Sequence, residues 1–247
     1  GLTVATGRAA LATTILTFAQ PGAVVVNSTP LYGGTDHLMH HTLPGFVIDT
    51  VTWRPGQSID EVSEEIGDRS VAMVFIETPS NPCNDMFAIE SASELASRFA
   101  TDDNPVPVAV DNTFLGPIWQ SPLEHGADLV IYSATKFLGG HTDLIAGALL
   151  GPSDLIGAVT ETRTILGTMA TPLTGWLLMR SLETLDMRMR RQADTAGVIA
   201  TFLEGHPAVA RVQYLGLLSP GDLGHDIYEK QCKGPGSMIS FWLDADE

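Results

Sequence analysis

Short hydrophobic runs alternate with amphipathic stretches along most of the chain. Most of the runs are rich in Val, Ile and Leu and lack a polar residue at every second position, which is typical of strands buried on both faces of a sheet. We predict strands at residues 23–26, 46–53, 71–76, 106–110, 129–132 and 145–150.

The stretches between these runs have helical spacing of apolar residues. We predict helices at residues 9–18, 32–41, 59–66 and 89–99, and a long one at 175–203. In the long helix a core stripe is formed by Leu178, Leu182, Leu185 and Met189, and three arginines (Arg188, Arg190 and Arg191) are expected on a solvated face or a subunit contact. Strands that alternate with helices predict a three-layer α/β/α fold with a mostly parallel sheet.

The alternation stops near Gly205. Two further strand patterns, at 209–214 and 237–243, flank a short helix near Ile227. We therefore predict a large domain over residues 1–205 and the beginning of a smaller, incomplete C-terminal α+β domain over residues 206–247.

Composition excludes several classes of function. The chain of 247 residues is 44% hydrophobic and carries a net charge of −16, from 13 Lys and Arg against 29 Asp and Glu. This acidity argues against nucleic acids and anionic membrane surfaces as partners, and no apolar run reaches the ~20 residues of a membrane span. The two cysteines form no disulfide framework, so a cytoplasmic location is expected.

Lys136 is the residue that points most directly to chemistry. The chain has only three lysines, and Lys230 and Lys233 lie in a polar, glycine-flanked segment. Lys136 instead closely follows the predicted strand 129–132, so we expect its ammonium group to be buried with a partner. A lysine amine in such a place can form a Schiff base with a carbonyl group; the alternative is a lysine whose stem alone is buried.

Asp111 ends the strand pattern at 106–110 and provides the second half of a cofactor site. A lysine that holds an aldehyde and an aspartate that holds a ring nitrogen are the two groups that pyridoxal phosphate requires. The alternative for Asp111 alone is an ordinary turn residue after a strand.

A phosphate group needs hydroxyl or backbone donors and a helix N-terminus. Gly7 and Arg8 open the first predicted helix, and Ser133 and Thr135 precede Lys136. Helix capping by the Thr6-Gly7 turn, and loop capping by the two hydroxyl groups, are the alternatives left open.

Two further residues follow strand ends. Tyr32, in a glycine-flanked turn, can stack on a cofactor ring and move protons, and Asn81, in a proline-stiffened loop, can reach a phenolic oxygen. A half-buried aromatic residue and an Asx turn, respectively, are the alternatives.

Two further motifs in the sequence are typical of other chemistries. Ser133-Ala-Thr-Lys136 matches the S-x-x-K motif of serine acyl transferases, but the S-D-N and K-T-G elements of that class are absent from the sequence. The histidines at 37, 40 and 41 beside Asp36 have metal-ligand spacing on a helix, yet a polar helix face is the stronger interpretation, and we predict no metal site.

Taken together, these motifs resemble the Cys/Met-metabolism enzymes that use pyridoxal phosphate, the trans-sulfuration family of fold-type I. Seven segments carry the resemblance, in the order of that family: residues 6–10, 30–35, 77–82, 111–114, 122–128, 133–141 and 181–185. The set is specific for the family and weak for any one member.

The resemblance implies a role for each site residue. Lys136 would carry the cofactor and move protons, Asp111 would pair with the pyridinium ring, and Tyr32 would stack on that ring and protonate the leaving group. The phosphate would be held by Gly7 and Arg8 through their backbone, and by Ser133 and Thr135, and Asn81 would lie near the ring oxygen. A homo-oligomer, expected to be a dimer of dimers, is also implied.

The resemblance further implies γ-elimination or γ-replacement on an amino acid of homoserine or homocysteine type. The alternatives are a β-lyase acting on cystathionine or cysteine and, from another class, a scaffold that keeps the fold without catalysis. Arg8 stands where members commonly have methionine, and Gly34 stands where methionine γ-lyases usually have cysteine. The family's N-terminal arm and distal C-terminal domain are also expected to be missing, which would leave the substrate site incomplete.

Overall fold

A seven-stranded, mostly parallel sheet forms the centre of the molecule in the computed structural model, which describes residues 1–244. The strands are β1 (Leu2–Val4), β2 (Val24–Ser28), β3 (Asp49–Trp53), β4 (Val71–Glu77), β5 (Val108–Asp111), β6 (Leu129–Tyr132) and β7 (Gly147–Leu150). Their spatial order is β1-β7-β6-β5-β4-β2-β3. Strands β2 to β6 are parallel, whereas β7 and β1 run antiparallel to their neighbours at one edge.

Helices cover both faces of this sheet. They are α1 (Gly7–Phe18), α2 (Gly33–His37), α3 (Ile59–Ile66), α4 (Ile89–Phe99), α5 (Gly116–Trp119), α6 (Ser153–Leu166), α7 (Pro172–Leu182), α8 (Leu185–Glu204) and α9 (His225–Gln231). One core lies between the sheet and helices α1 and α6, and a second lies between the sheet and helices α3 and α4. The predicted three-layer α/β/α class is confirmed.

Local sequence explains where several elements begin. The Thr6 hydroxyl accepts a hydrogen bond from the Ala9 N–H at 2.9 Å and caps α1. Ser58 and Glu61 form a capping box at the start of α3. Every residue of β4 is buried, as expected for a central strand that is covered on both faces.

Three predicted elements before residue 205 differ most from the structure. The strand predicted from residue 46 begins only at Asp49, because Leu43–Phe46 forms a 3₁₀ turn and Val47 has a positive φ of 59°. The helix predicted over 32–41 is α2 followed by a π-helical turn, Leu38–Thr42. The single long helix is two helices, α7 and α8, which are separated at Glu183 and Thr184.

A second, two-stranded antiparallel sheet follows α8. It pairs β8 (Val209–Gln213) with β9 (Ser240–Leu243), and α9 lies between them in the chain. The strand and helix patterns after residue 205 thus form the elements expected of them, and the domain boundary at that point stays a prediction. None of the helices within residues 1–244 is both long enough and apolar enough to cross a membrane.

Candidate active site

The carboxyl ends of the parallel strands bring most of the predicted site residues to one edge of the sheet. Strands β2, β4, β5 and β6 all end there, and ligands of open α/β sheets bind outside these ends. Tyr32, Asn81 and Lys136 lie in the segments that follow β2, β4 and β6, and Asp111 is the last residue of β5.

The N-terminus of α1 meets the segment after β6. A Cβ atom added to Gly7 would lie 2.8 Å from the Cβ of Ser133, so only glycine allows this approach. The first N–H groups of a helix have no partner within the helix, and they carry a partial positive charge. Gly7, Arg8 and Ser133 therefore form a cradle of neutral donors that suits a phosphate group.

The hydroxyl group of Thr135 is occupied by the protein backbone. It donates to the Ala146 carbonyl and accepts from the Ala146 N–H, both at 3.1 Å. This arrangement is the loop capping that the sequence left open, and the predicted contact of Thr135 with phosphate stays a prediction.

Lys136 lies in a turn just beyond the end of β6, and its side chain is exposed. The expected burial of its ammonium group is therefore wrong, because β6 ends at Tyr132 and the chain leaves the core before it reaches Lys136. The turn itself is well fixed: the Lys136 N–H donates to the Ser133 carbonyl at 3.0 Å, and the Lys136 carbonyl accepts from the Gly140 N–H at 2.7 Å.

Arg188 of α8 fixes the same turn from the other side. Its guanidinium group donates to the carbonyl of Phe137 at 2.9 Å, to the carbonyl of Ser181 at 2.9 Å and to the hydroxyl of Thr184 at 3.0 Å. Burial lowers the pKa of this guanidinium group. The prediction of a solvated face is wrong for Arg188, and an intersubunit contact of the arginines stays a prediction. Arg190 is exposed and pairs with Asp186 at 2.8 Å.

Asp111 is partly buried, and its carboxyl group has no cationic partner among the described residues. Burial raises the pKa of this carboxyl group. Hydrogen bonds from Thr113 act in the opposite direction and lower it, and the N–H of Thr113 donates at 2.9 Å. No arginine, lysine or histidine forms an ion pair with Asp111 in the part of the chain that the structure describes. A cationic ring nitrogen placed beside it would supply the missing positive charge.

Glu77 carries a second carboxyl group beside Asp111. Residue 77 lies in one of the segments that resemble the family, but no role was predicted for it from the sequence. The two residues are directly paired on β4 and β5. Glu77 is buried, and its Oε2 accepts a hydrogen bond from the Tyr32 N–H at 3.0 Å. Burial, together with the negative charge of Asp111, raises the pKa of Glu77 to about 8. Its signal in the sequence was the same as for Asp111: a carboxylate that ends an apolar strand.

Tyr32 projects from the turn before α2 and is 46% exposed. A Cβ atom at Gly34 would lie 2.8 Å from the Tyr32 ring and 3.0 Å from Cδ of Arg8. The glycine thus lets the arginine side chain approach the aromatic ring. Tyr32 has the accessible ring that stacking requires, and the Arg8 side chain brings a positive charge close to that ring.

Asn81 lies in the loop after β4 and is partly buried. Its backbone N–H donates to the carboxyl group of Glu77, which stabilises the ionised form of that group. The side chain of Asn81 is positioned by the same loop, and its predicted contact with a ring oxygen stays a prediction.

The histidine cluster is arranged as a polar helix face. The ring of His40 lies 3.2 Å from the Thr50 hydroxyl and 3.6 Å from Asp36, while His37 and His41 pack ring against ring at 4.9 Å. Within residues 1–244, no group of three or more His, Cys, Asp or Glu side chains is placed to hold a metal ion.

The residues present fit pyridoxal phosphate. A partly buried carboxylate without a cation, a helix N-terminus held open by glycine, an accessible tyrosine and a lysine on a fixed turn are the groups that this cofactor uses. Fold and site thus define a class: the enzymes that carry pyridoxal phosphate at the carboxyl edge of an α/β sheet.

Comparison with known proteins gives the family. The chain matches the family model described as Cys/Met metabolism PLP-dependent enzyme over residues 1–247, and it belongs to that family. It is 38% identical to the L-methionine gamma-lyase of Brevibacterium aurantiacum over 240 residues. These residues are 97% of this chain and 55% of the relative. It is 36% identical over 240 residues to the cystathionine gamma-synthase of Mycobacterium leprae, covering 97% and 60%.

A solved structure extends the likeness to the fold. The cystathionine gamma synthase of Xanthomonas oryzae pv. oryzae, in complex with aminoacrylate and cysteine, superposes with a TM-score of 0.90 at 32% identity. The match covers 100% of this chain and 62% of that one. The chain spans 55–60% of the length of these two curated relatives.

Proposed function

We propose that this chain forms the larger part of an enzyme that uses pyridoxal phosphate for γ-elimination or γ-replacement on amino acids of homoserine or homocysteine type. The observation that carries the proposal is that Asp111, the last residue of β5, and Lys136, in the turn beyond the adjacent strand β6, lie at the same edge of the sheet. The names of the relatives, a methionine gamma-lyase and a cystathionine gamma-synthase, support chemistry at the γ-carbon.

Each site residue has a defined task in this proposal. Lys136 holds the cofactor covalently and moves protons between substrate carbons, for which an exposed amine on a fixed turn is suited. Asp111 keeps the ring nitrogen protonated. When bound, the cofactor supplies the electron sink that makes protons on the substrate's carbons acidic.

The remaining residues bind and orient. The first N–H groups of α1, at Gly7 and Arg8, hold the phosphate together with the hydroxyl group of Ser133. Tyr32 covers the ring face and donates a proton to the departing γ-group, and Asn81 contacts the ring oxygen. Arg8 differs from the usual methionine, and its side chain lies near the ring of Tyr32, so it brings a positive charge close to that tyrosine.

A product assay tests the proposal. The protein is incubated with pyridoxal phosphate and one of five substrates: L-methionine, L-homocysteine, an O-acylated homoserine, cystathionine or cysteine. Each incubation is run with and without a thiol, and the products are identified by mass spectrometry. We expect 2-oxobutanoate without the thiol, or a new thioether with it. Pyruvate from cystathionine or cysteine as the main product would indicate β-elimination, and no turnover of any substrate by a cofactor-loaded protein would favour the scaffold.

The assembly and location belong to the same proposal. The surface around α7 exposes large apolar side chains, among them Leu173, Trp176 and Met179, and these suit a contact with a second copy. We expect a homo-oligomer, a dimer of dimers, and a cytoplasmic location, with which the free thiols of Cys83 and Cys232 agree.

A further inference from the structure

Glu77 is a buried carboxyl group for which the proposed reaction has no task. It is only 5% exposed and ends a strand whose other six residues are also buried and apolar. Removing a carboxyl group from water costs free energy, so such residues are rare in a core unless their partners compensate. The contacts of Glu77 show which partners these are.

The carboxyl group joins two loops of the candidate active site. Its Oε2 accepts the backbone N–H of Tyr32 at 3.0 Å, from the turn after β2, and the backbone N–H of Asn81 also donates to it, from the loop after β4. The N–H of Glu77 itself donates to the Ser28 hydroxyl at 2.9 Å, at the end of β2. One side chain therefore sets the distance between the stacking residue Tyr32 and the residue expected at the ring oxygen.

The second neighbour is Asp111. Directly paired residues of adjacent strands point to the same face of a sheet, so the two carboxyl groups lie side by side. Two carboxylates that share a site do not both ionise easily, so one of them keeps its proton. The cationic ring nitrogen that the proposed cofactor would place beside Asp111 favours the negative charge on Asp111, which leaves the proton on Glu77.

We propose that Glu77 is a positioning residue of the cofactor site, which ties the Tyr32 turn to the Asn81 loop and holds a proton so that Asp111 carries the charge of the pair. The raised pKa of Glu77, about 8, agrees with a neutral carboxyl group at neutral pH. The inference rests on the proposed cofactor site and goes beyond it, because Glu77 reaches the cofactor only through Tyr32, Asn81 and Asp111.

Three variants separate this role from general stability. Glu77→Gln keeps the shape and an acceptor for the Tyr32 N–H but cannot titrate, whereas Glu77→Ala removes both properties. Val74→Ala, in the same strand, removes buried apolar volume from the core on the side of α3 and α4 and is the matched control. For each we measure the dissociation constant of pyridoxal phosphate by equilibrium dialysis, the midpoint of thermal unfolding, and the pH titration of the bound cofactor's visible absorbance.

We expect Glu77→Ala to weaken cofactor binding about tenfold or more, since hydrogen bonds to a buried acceptor are lost at both loops. We expect Glu77→Gln and Val74→Ala to bind within about threefold of the parent. In Glu77→Gln the midpoint of the absorbance titration should fall by about half a pH unit or more, because no second negative charge develops near the ring at high pH.

The outcomes are distinct. Equal binding by Glu77→Ala and the parent, or equal weakening in Glu77→Ala and Val74→Ala, overturns the positioning role. An unchanged titration midpoint in Glu77→Gln overturns the sharing of charge with Asp111, and this variant serves even if Glu77→Ala does not fold. If the parent itself fails to bind pyridoxal phosphate, the proposed function falls as well, whereas in the other cases it stands.

Discussion

Two carboxyl groups at the ends of adjacent strands determine the electrostatics of this site. Asp111 is partly accessible and receives its hydrogen bonds from Thr113, whereas Glu77 is buried and receives backbone N–H groups from two loops. Burial raises the pKa of both groups. A cation beside Asp111 therefore stabilises the site, and the proposed cofactor provides one in its protonated ring.

Replacement of Asp111 by asparagine tests the charge without changing the shape. The Asn side chain can still accept the Thr113 N–H but cannot hold the ring nitrogen in its protonated form. We expect cofactor binding to survive and kcat to fall by roughly 10²-fold or more, the scale of a lost electrostatic contact in an active site.

The matched control is Asp128→Asn, at the start of β6. Asp128 accepts the Val108 N–H at 2.8 Å at the opposite end of the sheet. We expect kcat to change less than about threefold in this variant. Equal losses of kcat in the two variants would contradict a specific role for Asp111.

Glu77 also predicts a pH dependence of stability in the cofactor-free protein. Below about pH 4.5 the carboxyl group holds its proton in both the folded and the unfolded state. Between that pH and about 8 only the folded state holds it, so the free energy of unfolding contributed by Glu77 falls as the pH rises. Glu77→Gln should therefore gain stability relative to the parent from about pH 5 to about pH 8, by a few kcal/mol in urea unfolding. A difference that does not vary with pH would contradict the raised pKa.

At the scale of single residues, the sequence predicted which residue types form the site. It predicted their burial and their hydrogen-bond partners less well. Asp111 and Lys136 stood out because a charged residue follows an apolar strand. Glu77 had the same signal, but its partners Tyr32 and Asp111 come from other strands. The exposure of Lys136 depends on where β6 ends, and the role of Thr135 depends on Ala146, a residue on the following segment.

Among the elements, α8 acts on the site from a distance. Arg188 fixes the turn that carries Lys136 through the Phe137 carbonyl, and a Cβ atom at Gly140, whose φ is +72°, would collide with its guanidinium group. The position of Lys136, the proposed carrier of the cofactor, thus depends on a hydrogen bond from α8.

Arg188→Ala should therefore destabilise the protein by about 2 kcal/mol, since two partly buried carbonyl groups lose a charged donor. Urea unfolding measures the change. The control is Arg190→Ala, two residues along the helix, where an exposed ion pair with Asp186 is lost and a change of less than about 0.5 kcal/mol is expected. A loss of stability in Arg188→Ala no larger than in the control would contradict the proposed fixing of the turn by Arg188.

Helices and strands were predicted most accurately where the periodic spacing of apolar residues is strong. Helices α3 and α4 and strand β6 begin and end where their apolar periodicity does. Helix α6 was missed, because its sequence contains Gly157 and three threonines, which are weak helix formers. Strand β1, with three residues, exists through its pairing with β7, and the break between α7 and α8 coincides with hydrogen bonds from Arg188 to Ser181 and Thr184. Such tertiary causes leave no periodic signal in the chain.

For the whole molecule, the net negative charge opposes the association of copies of the chain, whereas the exposed apolar surface favours it. A net charge of −16 makes copies of the chain repel one another, so association requires a strong apolar contact. Trp176, 55% exposed on α7 among other apolar side chains, is the best anchor for such a contact.

Trp176→Glu should shift the protein toward the monomer, because it places a further negative charge in an apolar contact between acidic copies. Light scattering measures the mass. Phe202→Glu, which changes an exposed aromatic residue of α8, is the control and should leave the mass unchanged. A variant at Trp176 with the mass of the parent oligomer would show that this face is not the contact.

The most direct test of the account uses the small number of lysines. The cofactor-loaded protein is treated with borohydride, which fixes pyridoxal phosphate to the amine that carries it, and the labelled peptide is sequenced by mass spectrometry. We predict a single label on Lys136, between Thr135 and Phe137. A label on Lys230 or Lys233, or a loaded protein without any labelled lysine, would contradict the placement of the chemistry at the carboxyl end of β6.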